Sequence, residues 1–262
     1  MEPIYIVSGT RTAIGDFGGS LKDFAPAELA KLVFAEAIKR AGLEPSDIQH
    51  AVLGQVVPTM PKDAYTVRVA AVNAGIPVSA PAFQVNRLCG SGLQAIVSAA
   101  QTIALGEADI TIAGGAEVMT RAPHFVNAAR FGQKLGDITM TDAILGALQD
   151  PFENIHMGVT AENVAADLGI TRADQDELAA ESHKRAANAI AQGYFKDQIL
   201  PVEIKTRKGV VMFDTDEHVR ADTTVESLGA LKPVFLKDGT VTAGNASGIN
   251  DGAAAVVLAS QA

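Results

Sequence analysis

Apolar and polar residues alternate along the first 118 positions with two periods in turn. "IYIVSGTRT" (4–12) is a short apolar-rich run that predicts a strand running into a Gly-rich turn. A helix is predicted over 26–42. Pro26 suits its first turn, Leu29, Leu32, Val33 and Ala37 form one stripe, and Gly42 suits its C-terminal cap. Then follow a strand over 47–57, a helix over 63–75 and a strand over 81–86. A third helix is predicted over 91–106, with Leu93, Ile96, Val97, Ala100, Ile103 and Ala104 on one face. The run 108–117 is almost wholly apolar, as expected of a strand covered on both sides.

From about 119 to 249 the pattern becomes more polar and irregular, with Pro123, Pro151, Pro201 and Pro233 scattered through it. One helix start still shows. Thr171 with Asp174 three residues on resembles a capping box. Leu178, Ala179, Ala186, Ala189 and Ile190 follow on one face, and Gly193 ends that helix. "AAAVVLA" (253–259) predicts a closing strand. The economical reading is an α/β layer (1–118 and 250–262) interrupted by an insertion over 119–249. Neither tandem repeats nor low-complexity tracts occur.

Composition narrows the function classes. Of 262 residues, 48% are hydrophobic, enough for a sizeable core. A formal net charge of −9 argues against broad nucleic-acid binding, which needs basic surface. A local basic patch still suffices for an anionic small ligand. One cysteine cannot form an internal disulfide, which fits a reducing cytoplasm. The opening "MEPIYIVSGTRTAIG" does not read as a signal peptide. No long uninterrupted apolar run predicts a membrane span.

That cysteine, Cys89, lies in "VNRLCGSGLQAI" (85–96), between a predicted strand and a predicted helix. The positive end of a helix favours a thiolate, and Gly90 and Gly92 leave room for a ligand. Three readings stand at this point: buried filler, phosphate loop or nucleophile. "GSGLQA" matches a dinucleotide loop only weakly, because it follows the third strand, and Asp109 starts a strand where the motif needs an acid ending one. A nucleophile elbow fails because Arg87 stands where its first glycine belongs.

"NRLCGSGLQAI" resembles the active-site segment of the thiolases, the 3-ketoacyl-coenzyme A acyltransferases. "SGTRTAIGDFGGSLKD" (8–23), "AGGAEVMTRAP" (114–123), "HMGVTAENVA" (156–165), "FKDQILPVEI" (195–204) and "TAGNASGINDGAAAVVL" (242–258) extend the resemblance over the whole chain, in order and in register. The segment 145–165 is most similar to bacterial beta-ketothiolases of polyhydroxyalkanoate synthesis.

The resemblance implies a layered α/β fold, the first of two βαβαβαββ halves, with 119–249 as an inserted loop domain that covers coenzyme A. It implies that Cys89 attacks an acyl-CoA and holds the acyl group as a thioester, while its N–H serves an oxyanion hole. Acetyl-CoA acetyltransferase chemistry follows, by Claisen condensation or the reverse thiolysis of a 3-ketoacyl-CoA. The substrates are acyl-CoA and CoA, and neither a metal nor a resident cofactor is called for. By matching positions, His156 and Met157 would line the pantetheine and acyl pocket, and Ala243, Ser247 and Gly248 would touch pantetheine. Arg220, Ser227 and Leu231 would lie toward the nucleotide, with Leu148 and Phe235 along apolar walls. Taken singly, His156 reads as a structural histidine and Arg220 as a solvated surface charge. His50, His124, His183 and His218 keep such ordinary readings.

The family's second half carries an Asn-Glu-Ala segment, a Gly-His-Pro histidine that activates the nucleophile and a Cys-x-Gly-Gly-Gly cysteine that moves the α-proton. None occurs in these 262 residues. The expectation is therefore an amino-terminal half, with the C-terminal thiolase domain outside this chain and little activity by this chain alone. A cytoplasmic homodimer or homotetramer in fatty acid metabolism is expected of the whole enzyme, with no nucleic-acid or membrane partner. The alternative is a non-catalytic CoA-binding or assembly module of the same fold; a ketoacyl-synthase-like relative fits the loop-domain match less well.

Overall fold

Extended segments rich in Val, Ile, Ala and Gly pair into one sheet, and helices with narrow apolar stripes cover it. The computed structural model describes residues 3–261. In chain order the elements begin with β1 (Ile4–Thr12), β2 (Gly15–Asp16), α1 (Pro26–Arg40), β3 (His50–Gly54), α2 (Thr66–Asn73), β4 (Ala82–Val85), α3 (Ser91–Ala104) and β5 (Ile110–Val118). They continue with β6 (His124–Phe125), β7 (Thr141–Asp142), α4 (Ala143–Ala147), α5 (Met157–Leu168), α6 (Arg172–Ala191) and β8 (Ile199–Leu200). β9 (Val202–Thr206), β10 (Gly209–Phe213), α7 (Val225–Gly229) and β11 (Asn250–Ser260) complete the chain.

The chain divides into two compact units. The first comprises Met1–Pro123, Gln198–Glu217 and Asn250–Ala262, and the second His124–Asp197 and His218–Ile249. The first unit is built on a seven-stranded sheet in the order β4-β3-β5-β11-β1-β8, with β2 paired to β11. β3 runs parallel to β4 and β5, and β11 runs antiparallel to both β5 and β1. The last strand thus lies in the middle of the sheet, between elements from both ends of the unit.

Both faces of the sheet are covered. On one, Ala95, Ala99 and Ile103 of α3 pack on Val52, Ala113 and Leu258. Strand side chains alternate, so Leu53, Ile112 and Val257 point to the other face, and they are buried too. α1 packs against β1, β5 and β11, and buries Leu29, Val33, Phe34, Ala37 and Ile38.

Two expected stripes are corrected. α3 presents its small residues to the sheet, while Leu93, expected to face inward, is 69% exposed. Alanines let the helix sit close, and a helix that is apolar nearly all round leaves its inward side undecided by period alone. In α6, Leu178 is 72% exposed and the most buried residue is Asp176. The inner face of that helix is anchored by hydrogen bonds. Its start is as expected: Thr171 is the N-cap and shares a capping box with Asp174.

The expected uninterrupted insertion over 119–249 also differs from the structure, because 198–217 groups with the sheet. β8 pairs parallel with β1 at Arg11 and Thr12. The Arg11 guanidinium holds Asp216 with two hydrogen bonds, 2.7 and 3.0 Å, and Asp216 also accepts the Ile14 N–H at 2.8 Å. Burial works against the charge on Asp216, but Arg11 and that N–H hold its carboxyl below the usual range. Glu217 accepts the N–H groups of Asp16 and Ser20. These bonds, and the β9–β10 hairpin between them, explain the return.

Candidate active site

Cys89 is exposed, one residue before the Gly90 N-cap of α3. It is the only cysteine of the chain. The turn that presents it is closed by a few bonds. Leu88, just before it, adopts a left-handed backbone with φ 49°. Such a conformation costs a non-glycine residue roughly 1–3 kcal/mol and persists only where its neighbours impose it. Here the Leu88 N–H donates to Asn86 Oδ1 at 3.0 Å, while its carbonyl accepts from Ser91 Oγ at 2.7 Å and from the Ser91 N–H at 2.9 Å. Ser91 Oγ in turn accepts the Arg87 N–H at 2.8 Å. No hydrogen bond occupies the Cys89 N–H among the described residues.

Glycines form the floor beneath this turn. A Cβ on Gly54, at the end of β3, would lie 2.6 Å from the Ser91 carbonyl carbon and 2.8 Å from the Gly92 nitrogen. A Cβ on Gly115 of β5, on the same face, would meet the Gly92 Cα at 3.6 Å. The start of α3 therefore rests directly on Gly54 at the end of β3 and on Gly115 in the middle of β5.

Beside the floor lies a buried polar cluster that sequence reasoning did not single out. Glu117, near the end of β5, accepts the N–H groups of Val56 and of Val57, the latter at 3.3 Å. Burial pushes Glu117 up to about 7; the two N–H groups pull it down, and the like charge of Asp63 adds to the rise. Asp63 is fully buried and accepts the Thr59 N–H and hydroxyl at 2.7 and 2.8 Å. Gln55 Oε1 and Gln84 Oε1 in the same region are buried without a partner. A carboxylate inside the apolar run "ITIAGGAEV" is the one sign of this cluster visible in the sequence.

The second unit holds the other candidate residues, in separate groups. His156 is the N-cap of α5: its Nδ1 accepts the Gly158 N–H at 3.0 Å, and its ring stacks on Phe235 at 4.7 Å. A Cβ on Gly158 would strike that phenyl ring at 2.2 Å, so a glycine is needed there. The exposed Met157 donates its N–H to the half-buried Leu148 at 2.8 Å, which brings Leu148 and Met157 to the same corner.

Ser227 lies on α7, where it shares a capping box with Thr224, and Leu231 follows that helix. Both are exposed. A Cβ on Gly244 would press on Leu228 and Leu231 at 2.5 Å, so the loop carrying Ala243 packs against them. Arg220 is exposed and donates its N–H to His183 Nδ1 at 3.1 Å. Ala243, Ser247 and Gly248 are exposed on the stretch leading to β11.

A charged scaffold carries these loops. Arg172 bonds Asp176 at 2.7 Å and the carbonyls of Leu228 and Leu231 at 2.7 and 3.0 Å. Asp176 accepts from Asn245 Nδ2 at 2.9 Å, and Asn245 Oδ1 accepts the Thr242 N–H at 2.7 Å. Glu162 of α5 accepts the N–H groups of Thr240 and Val241, each at 2.8 Å. Burial works to raise Glu162, but those N–H groups and the Thr240 hydroxyl outweigh it and hold its carboxyl below the usual range. Apart from the local Arg172–Asp176 and Thr242–Asn245 bonds, these anchors join positions far apart in sequence and so leave no periodic sign.

A cysteine presented by such a turn, on a sheet of this order, matches a known architecture. The family model "Thiolase, N-terminal domain" matches residues 4–262. The chain belongs to the thiolase family. It is 62% identical over 260 residues to Beta-ketothiolase BktB of Cupriavidus necator, covering 99% of this chain and 66% of that protein. The crystal structure of the Bacillus anthracis acetyl-CoA acetyltransferase superposes with a TM-score of 0.96 at 46% identity, covering 100% of this chain and 66% of that one. Human mitochondrial 3-ketoacyl-CoA thiolase in complex with CoA superposes with a TM-score of 0.95 at 40% identity, covering 99% and 65%. This thiolase chain therefore spans about two thirds of the length of these relatives. Its layered α/β fold is that of the family. Among the described residues no helix is long and apolar enough to cross a membrane.

Proposed function

We propose that the protein containing this chain is an acyl-CoA C-acyltransferase in which Cys89 is the acyl-carrying nucleophile. One observation carries the reading: the only cysteine of a thiolase-family chain stands exposed on a turn held in a left-handed backbone at the start of α3. Its thiolate attacks the thioester carbonyl of an acyl-CoA, the oxygen takes up charge, and CoA leaves as a thiolate that gains a proton. The Cys89 N–H, with no acceptor among the described residues, is suited to that oxygen. The acyl group then passes to the α-carbon of acetyl-CoA in condensation, or to free CoA in thiolysis.

In this reading the second unit binds coenzyme A. His156, Met157, Ala243, Ser247 and Gly248 serve pantetheine, Leu148 and Phe235 the apolar walls, and Arg220, Ser227 and Leu231 the nucleotide end. The likeness to human mitochondrial 3-ketoacyl-CoA thiolase in complex with CoA supports the ligand class. A short-chain, polyhydroxyalkanoate-type beta-ketothiolase is supported by the 62% identity to BktB. A cytoplasmic homo-oligomer without a resident cofactor completes the proposal. The family's base and proton-moving cysteine have no counterpart in these 262 residues, so this stretch alone should turn over acetoacetyl-CoA little. The test is acetyl-CoA labelling of the whole protein, read by mass spectrometry. An acetyl group on the Cys89 peptide, lost in Cys89→Ser, is expected. CoA binding without acylation at Cys89 would overturn the catalytic reading and favour a binding module.

A further inference from the structure

Among the described residues neither Asn86 nor Glu117 bonds Cys89, yet one line of hydrogen bonds joins them to the residue just before it. Glu117 accepts the N–H groups of Val56 and Val57. The Val56 carbonyl accepts Asn86 Nδ2 at 3.3 Å. Asn86 Oδ1 accepts the Leu88 N–H at 3.0 Å. Leu88 is the residue whose left-handed backbone precedes Cys89. We propose that Asn86 and Glu117 are positioning residues for Cys89: the carboxyl fixes the 56–57 backbone, that backbone orients the Asn86 amide, and the amide holds Leu88 in the conformation that presents the thiol.

The residue types suit these roles. A carboxylate can accept two neighbouring N–H groups at once, one on each oxygen. A glutamine could accept only one, and its own NH2 would face the other donor. Asn86 must donate on one side and accept on the other, which its amide does and neither Asp nor Leu can. Asn86 is exposed, so packing does not explain an amide there. Glu117 receives no cation among the hydrogen bonds and ion pairs of the described residues, which sets it apart from the Arg-paired Asp176 and Asp216. When a tie is lost, Leu88 relaxes to its ordinary backbone, and the fraction of molecules with the thiol in place falls. The observed rate falls in proportion, by about tenfold for a strain of this class.

The inference rests on the reading of Cys89 as a nucleophile, and one experiment separates the two. The probe is iodoacetamide, applied to the whole protein across pH and read as the alkylation rate of the Cys89 peptide by mass spectrometry, with glutathione as reference and thermal unfolding in parallel. Wild-type Cys89 should react faster than glutathione near neutral pH. N86A and E117Q should each slow it about tenfold. The double variant should be no slower than the slower single, since both act through one line. L88G should restore the N86A rate, because glycine takes a positive φ without a clamp. T59V, which breaks a bond to Asp63 off that line, should lower the unfolding temperature without slowing alkylation. Wild-type Cys89 reacting only as fast as glutathione would overturn the nucleophile and its positioning together. A fast wild type with N86A and E117Q equally fast would overturn the positioning alone. So would multiplying effects in the double variant, or rates that track unfolding temperature through T59V.

Discussion

The turn around Cys89 and the loops that carry His156, Ser227 and Ala243 are built by opposite means. The first rests on missing side chains: Gly54 and Gly115 let the start of α3 lie against the sheet backbone, and short bonds within the turn close it. The second rests on charged side chains: Arg172 and Glu162 reach across to backbone groups of otherwise exposed loops, and Asp176 holds the Asn245 side chain. A glycine floor fixes one atom tightly in place and tolerates no added bulk. Charged anchors hold long segments at their ends and leave the middle free to meet a large ligand. The two regions should therefore fail differently.

The largest effect is expected on the glycine floor. Gly54→Ala places a methyl 2.6 Å from the Ser91 carbonyl carbon, backbone at the start of α3 that cannot swing aside. A loss of about 3 kcal/mol or more is expected, with Cys89 alkylation slowed, as measured by urea unfolding and labelling. In the other region, Asp176→Ala takes one acceptor each from the Arg172 guanidinium and the Asn245 amide, at about 2 kcal/mol. There the expected signature is a CoA affinity weakened at least tenfold by calorimetry, with Cys89 alkylation unchanged. An equal loss of both readouts in both variants would erase the comparison.

The two buried acids sharpen it through pH. Glu117 is raised to about 7 from 4.5, so its contribution to stability is full below about 4.5 and is lost as pH rises through about 7. Glu162 is lowered, so its contribution is present above the ordinary carboxylate range and is lost as pH falls through its folded value. E117Q should flatten the fall in stability between about pH 5 and 8, and E162Q should flatten the fall on the acid side, both by denaturant unfolding at stepped pH. A smaller effect belongs to the α6 cap. Thr171→Ala should cost about 1 kcal/mol without touching the Cys89 rate, by thermal unfolding and labelling.

Much of the first unit is legible in the sequence, because its strands and helices are long enough for one period to dominate each. The observed β1, α1, β3, α2, β4, α3, β5 and β11 follow the expected order, with ends shifted by a few residues. Cys89 stands out as the only thiol, between a strand and a glycine-flanked helix. β8 is different: two residues carry no period, and its place depends on Arg11 meeting Asp216 from 205 positions away. α5 hides within a polar stretch, since a helix held by Glu162 needs no apolar stripe. Asn86 and Glu117 are legible only as oddities, an amide before the nucleophile and an acid in an apolar strand. Their meaning lies in a loop that folds back between them.

The central position of β11 sets an order in time. Residues 250–260 pair with both β5 and β1, and Ala254 lies opposite Gly115, on which the start of α3 rests. A growing chain holds Cys89 long before it holds those strand residues, so the thiol waits in an unfinished setting until the last strand slides into the gap. Fast alkylation should then appear late in refolding, together with the β11 pairing and after the collapse of α1 onto its neighbours. Pulse labelling would make that single sulfur a clock for the final step of sheet closure.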